Sequence, residues 1–103
     1  MLFRSVFESG QKVKTLGLSL FFIKNNLSFN RIAFSPVRGF KGSVERNRIK
    51  RIFREIYRLS KYLLLPGYDM VLIIYPGENG YREREKAFLY LCTKAGLINE
   101  NYR

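Results

Sequence analysis

Hydrophobic residues near the start of the chain recur at about one helical turn. Leu2, Phe3, Val6 and Phe7 have this spacing, which predicts a short helix ending at Gly10. The helix would place at least two aromatic rings close to one another.

The next apolar residues alternate with a period of two between Leu16 and Ile23, which predicts a strand. Phe21 should point away from the face formed by its neighbours at even positions, Leu16, Leu18, Leu20 and Phe22. After a polar loop, residues 29–35 predict a second strand, which we expect to be the antiparallel partner of the first.

The second half of the chain contains one strand and one helix. Tyr68 to Tyr75 is almost wholly apolar, has no helical period and is rich in branched side chains, which predicts a strand covered on both faces. A helical stripe follows and ends at Gly96, with members Tyr81, Phe88, Leu91, Cys92 and Ala95. Without internal repeats or a long linker, residues 1–103 read as one domain, an α/β (α+β) sandwich with a small mixed sheet.

Residues 43–60 predict a long amphipathic helix, with Ser43 as N-cap and Glu45 in the first turn. At about 100° per residue, one arc is apolar and should pack on the sheet; it consists of Ile49, Ile52, Phe53, Ile56 and Leu59. The opposite arc is polar and consists of Asn47, Lys50, Arg51, Arg54 and Arg58, with Arg46 and Arg48 flanking it.

Charge makes this polar arc informative. The chain has 19 Lys and Arg against 8 Asp and Glu, a net charge of +11, although 47% of its residues are apolar. The helix has six basic residues against Glu45 and Glu55, whereas ordinary exposed faces interleave opposite charges. Arg38 and Lys41 add charge in the preceding loop. A solvated face with no ligand is the plain alternative, but phosphates of a nucleic acid explain the missing counter-charges better.

Residue counts exclude several kinds of site. The chain has no His and a single Cys, Cys92, so His-based catalysis, zinc centres and internal disulfides are excluded. Cys92 fits a packing role on the inner stripe of the last helix. No apolar run is long enough to span a bilayer and the start does not read as a secretory signal, so we expect a cytoplasmic protein without a membrane partner.

The context of the basic helix favours RNA over duplex DNA. A strand and loop precede it, so it lacks the partner helix of a helix-turn-helix. Rings on a sheet beside a basic surface suit unpaired bases, although core packing is the simpler reading for Phe3, Phe7 or Phe21 taken singly.

Several segments together resemble one family. Residues 46–55, Arg-Asn-Arg-Ile-Lys-Arg-Ile-Phe-Arg-Glu, resemble the signature helix of the bacterial ribonuclease P protein component. The pattern Phe3-x-x-Val6-Phe7-x-x-Gly10 is similar to the opening helix of that family. The strand segments 20–21, 30–35 and 68–71 and the closing Lys94-Ala95-Gly96-Leu97 follow in the family's order.

The resemblance implies a fold and a function. The fold would contain a left-handed βαβ crossover. The chain would be the protein subunit of a ribonucleoprotein endonuclease that removes the 5′ leader from precursor tRNA. The ribonuclease P RNA and its bound Mg2+ would do the chemistry, so the protein would need no catalytic residue, metal ligand or organic cofactor of its own.

The resemblance also implies two groups of RNA-binding residues. Arg46, Arg48 and Arg51 would face the catalytic RNA, together with Arg38 and Lys41 of the loop. The leader would lie in a cleft between the signature helix and the sheet, lined by Phe3, Phe7, Phe21, Asn47, Lys50 and Arg54. The loop departs from the family pattern, because Gly39 replaces one of two paired basic residues there and Lys41-Gly42 replace a glycine and a short residue. A ribosomal-type RNA-binding protein without a role in cleavage is the alternative function.

Overall fold

The computed structural model describes residues 4–77 and 80–100. It contains three helices, four strands and the 3-10 turn Lys61–Leu63 in these residues. In chain order the helices and strands are α1 (Arg4–Ser9), β1 (Gln11–Thr15), β2 (Leu18–Lys24), β3 (Arg31–Pro36), α2 (Gly42–Ser60), β4 (Tyr68–Ile74) and α3 (Tyr81–Lys94).

The strands form one mixed sheet in the order β1-β2-β4-β3. β2 is antiparallel to both β1 and β4, while β3 and β4 are parallel. The predicted fold class, an α+β sandwich with a small mixed sheet, is confirmed. α2 connects β3 to β4 and completes a βαβ unit, because parallel neighbours need a crossover.

The predicted antiparallel pairing of β3 with β2 is wrong, since β4 lies between them. β4 is apolar on both faces and is most stable at the centre of the sheet. Polar contacts hold the β2–β3 loop across the start of β4: the Asn25 N–H donates to the Gly67 carbonyl at 2.9 Å, and the Tyr68 N–H donates to Asn30 Oδ1 at 2.8 Å. The loop therefore crosses the start of β4 and does not close a hairpin.

The pattern of hydrophobic residues did not reveal β1. Its sequence Gln-Lys-Val-Lys-Thr has one apolar residue, Val13, and charged edge strands of this kind resist pairing with other chains. β1 and β2 are joined by a turn at Leu16 and Gly17, where Gly17 has φ +85°. Leu16 is consequently 90% exposed and does not share the buried face predicted for it.

The core lies between one face of the sheet and the helices α2 and α3. Leu18, Leu20 and Phe22 of β2 are buried there. Met70, Leu72 and Ile74 of β4 cover the same face, and the helices contribute Ile49, Phe53, Ile56, Phe88, Leu91 and Cys92. Leu59, predicted on this arc, is exposed at the end of α2. Each fully buried large side chain contributes about 1.5–3 kcal/mol of transfer free energy.

The predicted C-terminus of α3 agrees with the structure, whereas the predicted N-cap of α2 does not. Ser43 is not the N-cap of α2; Lys41 is, and the Lys41 N–H donates to Glu45 Oε2 at 2.6 Å. Gly96 ends α3 as predicted, with φ +75°. The Gly96 N–H donates to the Thr93 carbonyl at 3.0 Å and the Leu97 N–H to the Cys92 carbonyl at 2.9 Å, which is a Schellman motif.

Candidate nucleic-acid interface

The sheet face opposite the core carries a pair of aromatic rings. Phe21 of β2 and Phe7 of α1 pack edge to face, with ring centroids 4.8 Å apart and planes at 67°. Phe7 is 48% exposed and Phe21 is half-buried. Lys12 of β1 is the register partner of Phe21, and its Nζ lies 5.2 Å from the centroid of that ring. Two rings with a cation beside them can bind a base by stacking and its phosphate by charge.

Two cross-strand rows of side chains form the floor beside these rings. Val71 of β4 and Ala33 of β3 continue the cross-strand row that begins at Phe21, and Ser19, Ile73 and Ser35 form the next row. α1 covers part of this face with Val6, which is fully buried. Towards β3 the face is less covered, since Ala33 and Ile73 are partly exposed and Ser35 is exposed.

Sequence reasoning missed a third ring on this face. Tyr75 follows β4, and its N–H donates to the Gly17 carbonyl at 3.0 Å, so the alternation of β4 continues through it. The Tyr75 hydroxyl lies 3.4 Å from Ser19 Oγ. Its spacing of two from Ile73 could have assigned Tyr75 to the Phe21 face.

The basic residues of α2 are mostly without counter-charges. Arg58 is held by Glu55, with its Nη2 2.6 Å from Oε1, and this hydrogen bond lowers the pKa of the Glu55 carboxyl. Within the described residues, no carboxylate forms an ion pair with the other five basic side chains of the helix, Arg46, Arg48, Lys50, Arg51 and Arg54. Five unpaired cations along one helix form an electrostatic surface suited to a phosphate backbone.

These five side chains lie on two sides of α2. Lys50 and Arg46 are half-buried on the side near Tyr57, whose ring contacts Phe34 of β3 at 6.3 Å. At about 100° per residue, Asn47 and Arg54 share this β3 side. Arg48 and Arg51 lie on the side near α3, where they line a groove with Tyr81. By this helical geometry Asn47, Lys50 and Arg54 remain a predicted group, whereas Arg46 lies apart from Arg48 and Arg51.

The two aromatic rings and the basic helix lie on opposite faces of the sheet. α2 packs on the sheet through Ile49, Phe53 and Ile56, and these buried side chains fill the space between helix and sheet. The cleft that the resemblance implied between α2 and the sheet is therefore occupied by core. β3 is the edge strand beside α2, so a strand of RNA leaving the rings would reach α2 around that edge.

The remaining predicted RNA-binding residues are the two basic residues of the loop before α2 and Phe3. Arg38 and Lys41 are both exposed in the loop before α2. Gly39 between them has φ +117°, and a Cβ there would lie 3.2 Å from Pro76 Cγ, so this loop position favours glycine. Phe3 lies outside the described residues.

One basic residue on the inner stripe of α3 was also missed. Arg84 is 3% exposed, and its Cζ lies 5.9 Å from the centroid of the Phe53 ring. Burial lowers the pKa of its guanidinium. A basic residue four positions before Phe88 on an apolar stripe was a signal present in the sequence.

The described residues show no cluster of side chains suited to metal binding. No three of their Cys, Asp or Glu side chains converge into a possible metal site. Cys92 is buried, and burial raises the pKa of its thiol to about 12, which fits a packing residue. None of the helices in the described ranges is long and apolar enough to cross a membrane.

Comparison with known proteins decides the family. The model of the Ribonuclease P family matches residues 1–96. The chain belongs to the ribonuclease P protein family. The chain is 38% identical to the ribonuclease P protein component of Natranaerobius thermophilus over 101 residues, which cover 96% of this chain and 88% of the relative.

Solved structures agree with the fold of this ribonuclease P protein. The RNase P protein from Thermotoga maritima superposes with a TM-score of 0.83 at 23% identity, covering 91% of this chain and 94% of that one. The Staphylococcus aureus RNase P protein superposes with a TM-score of 0.84 at 20% identity, covering 94% and 91%. At these identities the likeness supports the mixed sheet and its helices.

Proposed function

We propose that this ribonuclease P protein binds the catalytic RNA of ribonuclease P and the 5′ leader of precursor tRNA, and that it thereby promotes removal of the leader in the cytoplasm. The observation that carries the proposal is the row of unpaired basic side chains on α2 in a chain that matches the family over residues 1–96. The RNA subunit does the chemistry in this proposal.

The two sides of α2 support two contacts. Arg48 and Arg51 lie towards α3 and away from the rings, so we assign them, with Arg38 and Lys41, to the catalytic RNA. Asn47, Lys50 and Arg54 lie on the β3 side, where a leader that crosses Phe21 and Phe7 would continue. Arg46 shares the β3 side, where it can contact either the catalytic RNA or the leader.

The rings support binding of a single strand. An exposed Phe7 packed on a half-buried Phe21 offers an apolar platform of fixed geometry. Stacking on such a platform tolerates any base. A protein that must accept many precursor tRNAs needs this tolerance, because leaders differ in sequence.

Mg2+ enters the proposal only through the RNA. The described residues contain no cluster of metal-binding side chains, so no residue of this chain is assigned to hold the ion. Mg2+ bound by the RNA would supply the electrostatic stabilisation that phosphodiester cleavage needs.

Reconstitution tests the function directly. Purified RNA-free protein should leave precursor tRNA uncut, and addition of a bacterial ribonuclease P RNA at low Mg2+ should give cleavage at the mature 5′ end, faster than with the RNA alone. Heat-denatured protein is the control for added charge. Equal cleavage by the RNA with and without this protein would favour the ribosomal-type alternative, and cleavage by the protein alone would refute an RNA-based mechanism.

A further inference from the structure

A cavity of about 100 Å³ lies where the two parallel strands end. The loops that follow β3 and β4 contribute Phe40 and Gly77 to its wall. α2 begins after the first loop and α3 after the second. Ligands of open α/β sheets bind outside the carboxyl ends of such parallel neighbours. The position in the fold therefore suits a ligand site.

Arg84 lines this cavity and is only 3% exposed. Its Nη1 donates to the Tyr75 carbonyl at a long 3.4 Å, and its Nε is buried without a hydrogen-bond partner among the described residues. A buried N–H group that lacks a hydrogen-bond partner is unfavourable. An anion in the cavity would remove this cost.

The remaining charges around the cavity also favour an anion. Arg48 lines the wall and is exposed, so a second guanidinium can close over a bound group. Within the described residues, neither α2 nor α3 has a side-chain cap at its N-terminus, and the positive end of a helix dipole favours an anion. Glu45 is the acidic member of the wall, and its Oε2 already accepts the Lys41 N–H at 2.6 Å.

We propose that this cavity, the Arg84 pocket, binds a phosphate group of the catalytic RNA. Arg84 would donate from its guanidinium group and Arg48 would approach from the solvent side, because guanidinium groups suit phosphate oxygens. The volume is several times that needed for one water, so a tetrahedral oxyanion can enter. The identity of the RNA rests on the proposed function, whereas the oxyanion site rests on Arg84 and its surroundings.

Inorganic phosphate tests the site without any RNA. In a 15N–1H NMR titration of the free protein, the Nε–H signal of Arg84, assigned through its bonds to the backbone, should shift with phosphate and saturate. The same concentrations of chloride should leave it in place. An Arg84 signal that stays unchanged while phosphate still raises the melting temperature would overturn the proposal, because the anion would then bind elsewhere.

Variants test the same site independently. Arg84→Met should lose most of the rise in melting temperature that phosphate gives, and Arg84→Lys should lose part of it. Lys86→Met is the matched control, because Lys86 is exposed on the same helix and does not line the cavity. Equal phosphate responses in Arg84→Met and Lys86→Met would refute the site. If Arg84→Met does not fold, the NMR titration of the unmodified chain still decides.

Ribonuclease P RNA identifies the source of the phosphate. We expect Arg84→Met to weaken affinity for that RNA about tenfold and to reduce the log–log salt slope by roughly 0.7–0.9, while Lys86→Met changes affinity less. Equal affinities would refute RNA as the source even if free phosphate binds. If the unmodified protein binds phosphate at Arg84 but fails the reconstitution above, the proposed function fails and the oxyanion site stands.

Discussion

Asp69 shows how one side chain can hold a sheet edge in place. It is 5% exposed, and it accepts hydrogen bonds from Arg31 Nε and Nη2, both at 2.8 Å, and from Asn25 Nδ2 at 3.0 Å. The hydrogen bonds from Arg31 hold the pKa of the Asp69 carboxyl below its usual range. The start of β4 is thereby tied to both ends of the loop that precedes β3.

Asp69→Asn should lower the free energy of unfolding at pH 7 by about 1–3 kcal/mol. A carboxyl whose pKa is lowered on folding stabilises the protein fully above its unfolded pKa of 3.8, and this contribution is lost as pH falls through the folded value. The difference between wild type and variant should therefore be constant from about pH 7 to 5 and shrink below about pH 4, as measured by urea unfolding.

The exposed pair Glu55–Arg58 supplies the control for that experiment. Glu55→Gln should lower the free energy of unfolding much less than Asp69→Asn does, because a solvent-exposed ion pair contributes little. A difference between wild type and Asp69→Asn that persists unchanged to pH 2.5 would contradict the role of the ionised carboxylate.

Phe21→Ala should weaken binding of precursor tRNA by the reconstituted enzyme by about 1–3 kcal/mol if a leader base stacks there. Binding of mature tRNA, which has no leader, should change much less. Phe29→Ala is a suitable control because Phe29 is an exposed ring in a loop away from the Phe7–Phe21 pair. Equal losses for precursor and mature tRNA would return Phe21 to a packing role.

At the scale of elements, the short helix α1 depends on a close contact at its end. The Gly10 N–H donates to the Val6 carbonyl at 3.0 Å, and a Cβ on Gly10 would lie 2.8 Å from the Phe22 carbonyl oxygen. α1 carries Phe7 and buries Val6 on the sheet. Its position on β2 therefore sets the position of one of the two rings.

Gly10→Ala should lower the free energy of unfolding by about 1–3 kcal/mol, as overpacking does, and it should also reduce discrimination between precursor and mature tRNA because Phe7 moves. Gly96→Ala is the control: it has φ +75° with open space around it, so it should cost about 1 kcal/mol of backbone strain and leave discrimination unchanged. A Gly10→Ala protein that still discriminates normally between precursor and mature tRNA would show that α1 accommodates the added methyl group without loss of Phe7 function.

The predictable elements were those with a strong local pattern. α2 and β4 were located within one or two residues, because the apolar arc of one and the uninterrupted apolar run of the other are properties of contiguous sequence. β1 was missed because its lysines conceal the alternation. The parallel pairing of β3 could not be predicted, because contacts such as Arg31 to Asp69 join residues 38 positions apart.

In the candidate site, too, features with a local sequence pattern were predictable and features that depend on other elements were not. Charge alone located the basic helix, and the period of two assigned Phe21 to the face opposite the core. The pattern could not tell that α2 and Phe21 lie on opposite faces, because that depends on the strand order. Arg84 and Tyr75 had usable signals in their spacing, but their importance comes from neighbours on other elements, Phe53 for one and Ser19 for the other.

For the whole molecule, a net charge of +11 on 103 residues gives salt two opposite effects. Raising NaCl from about 10 mM to 300 mM shortens the Debye length from about 30 Å to less than 8 Å. The melting temperature should rise because repulsion between like charges is screened. Affinity for ribonuclease P RNA should fall steeply over the same range, because releasing condensed counterions into a more concentrated salt solution gains less entropy.

Arg51→Gln tests both effects at once. Removing one exposed, unpaired cation should reduce the log–log slope of RNA affinity by roughly 0.7–0.9 and should make the rise in melting temperature smaller. Filter binding and calorimetry at matched salt concentrations provide the two measurements. A flat salt response of RNA affinity would contradict a phosphate-binding surface.

The strand order also has a consequence for synthesis of the chain. β4 is the last strand to leave the ribosome, yet it is the central partner of both β2 and β3. Until about residue 74 has emerged, those two strands have unpaired edges, and unpaired edges promote aggregation of incomplete chains. A chain stopped after Pro66 should show no slowly exchanging amides in β2, whereas the full chain should protect them. Protection in the shorter chain would mean that the β1–β2 hairpin folds first and shields the edge of β2.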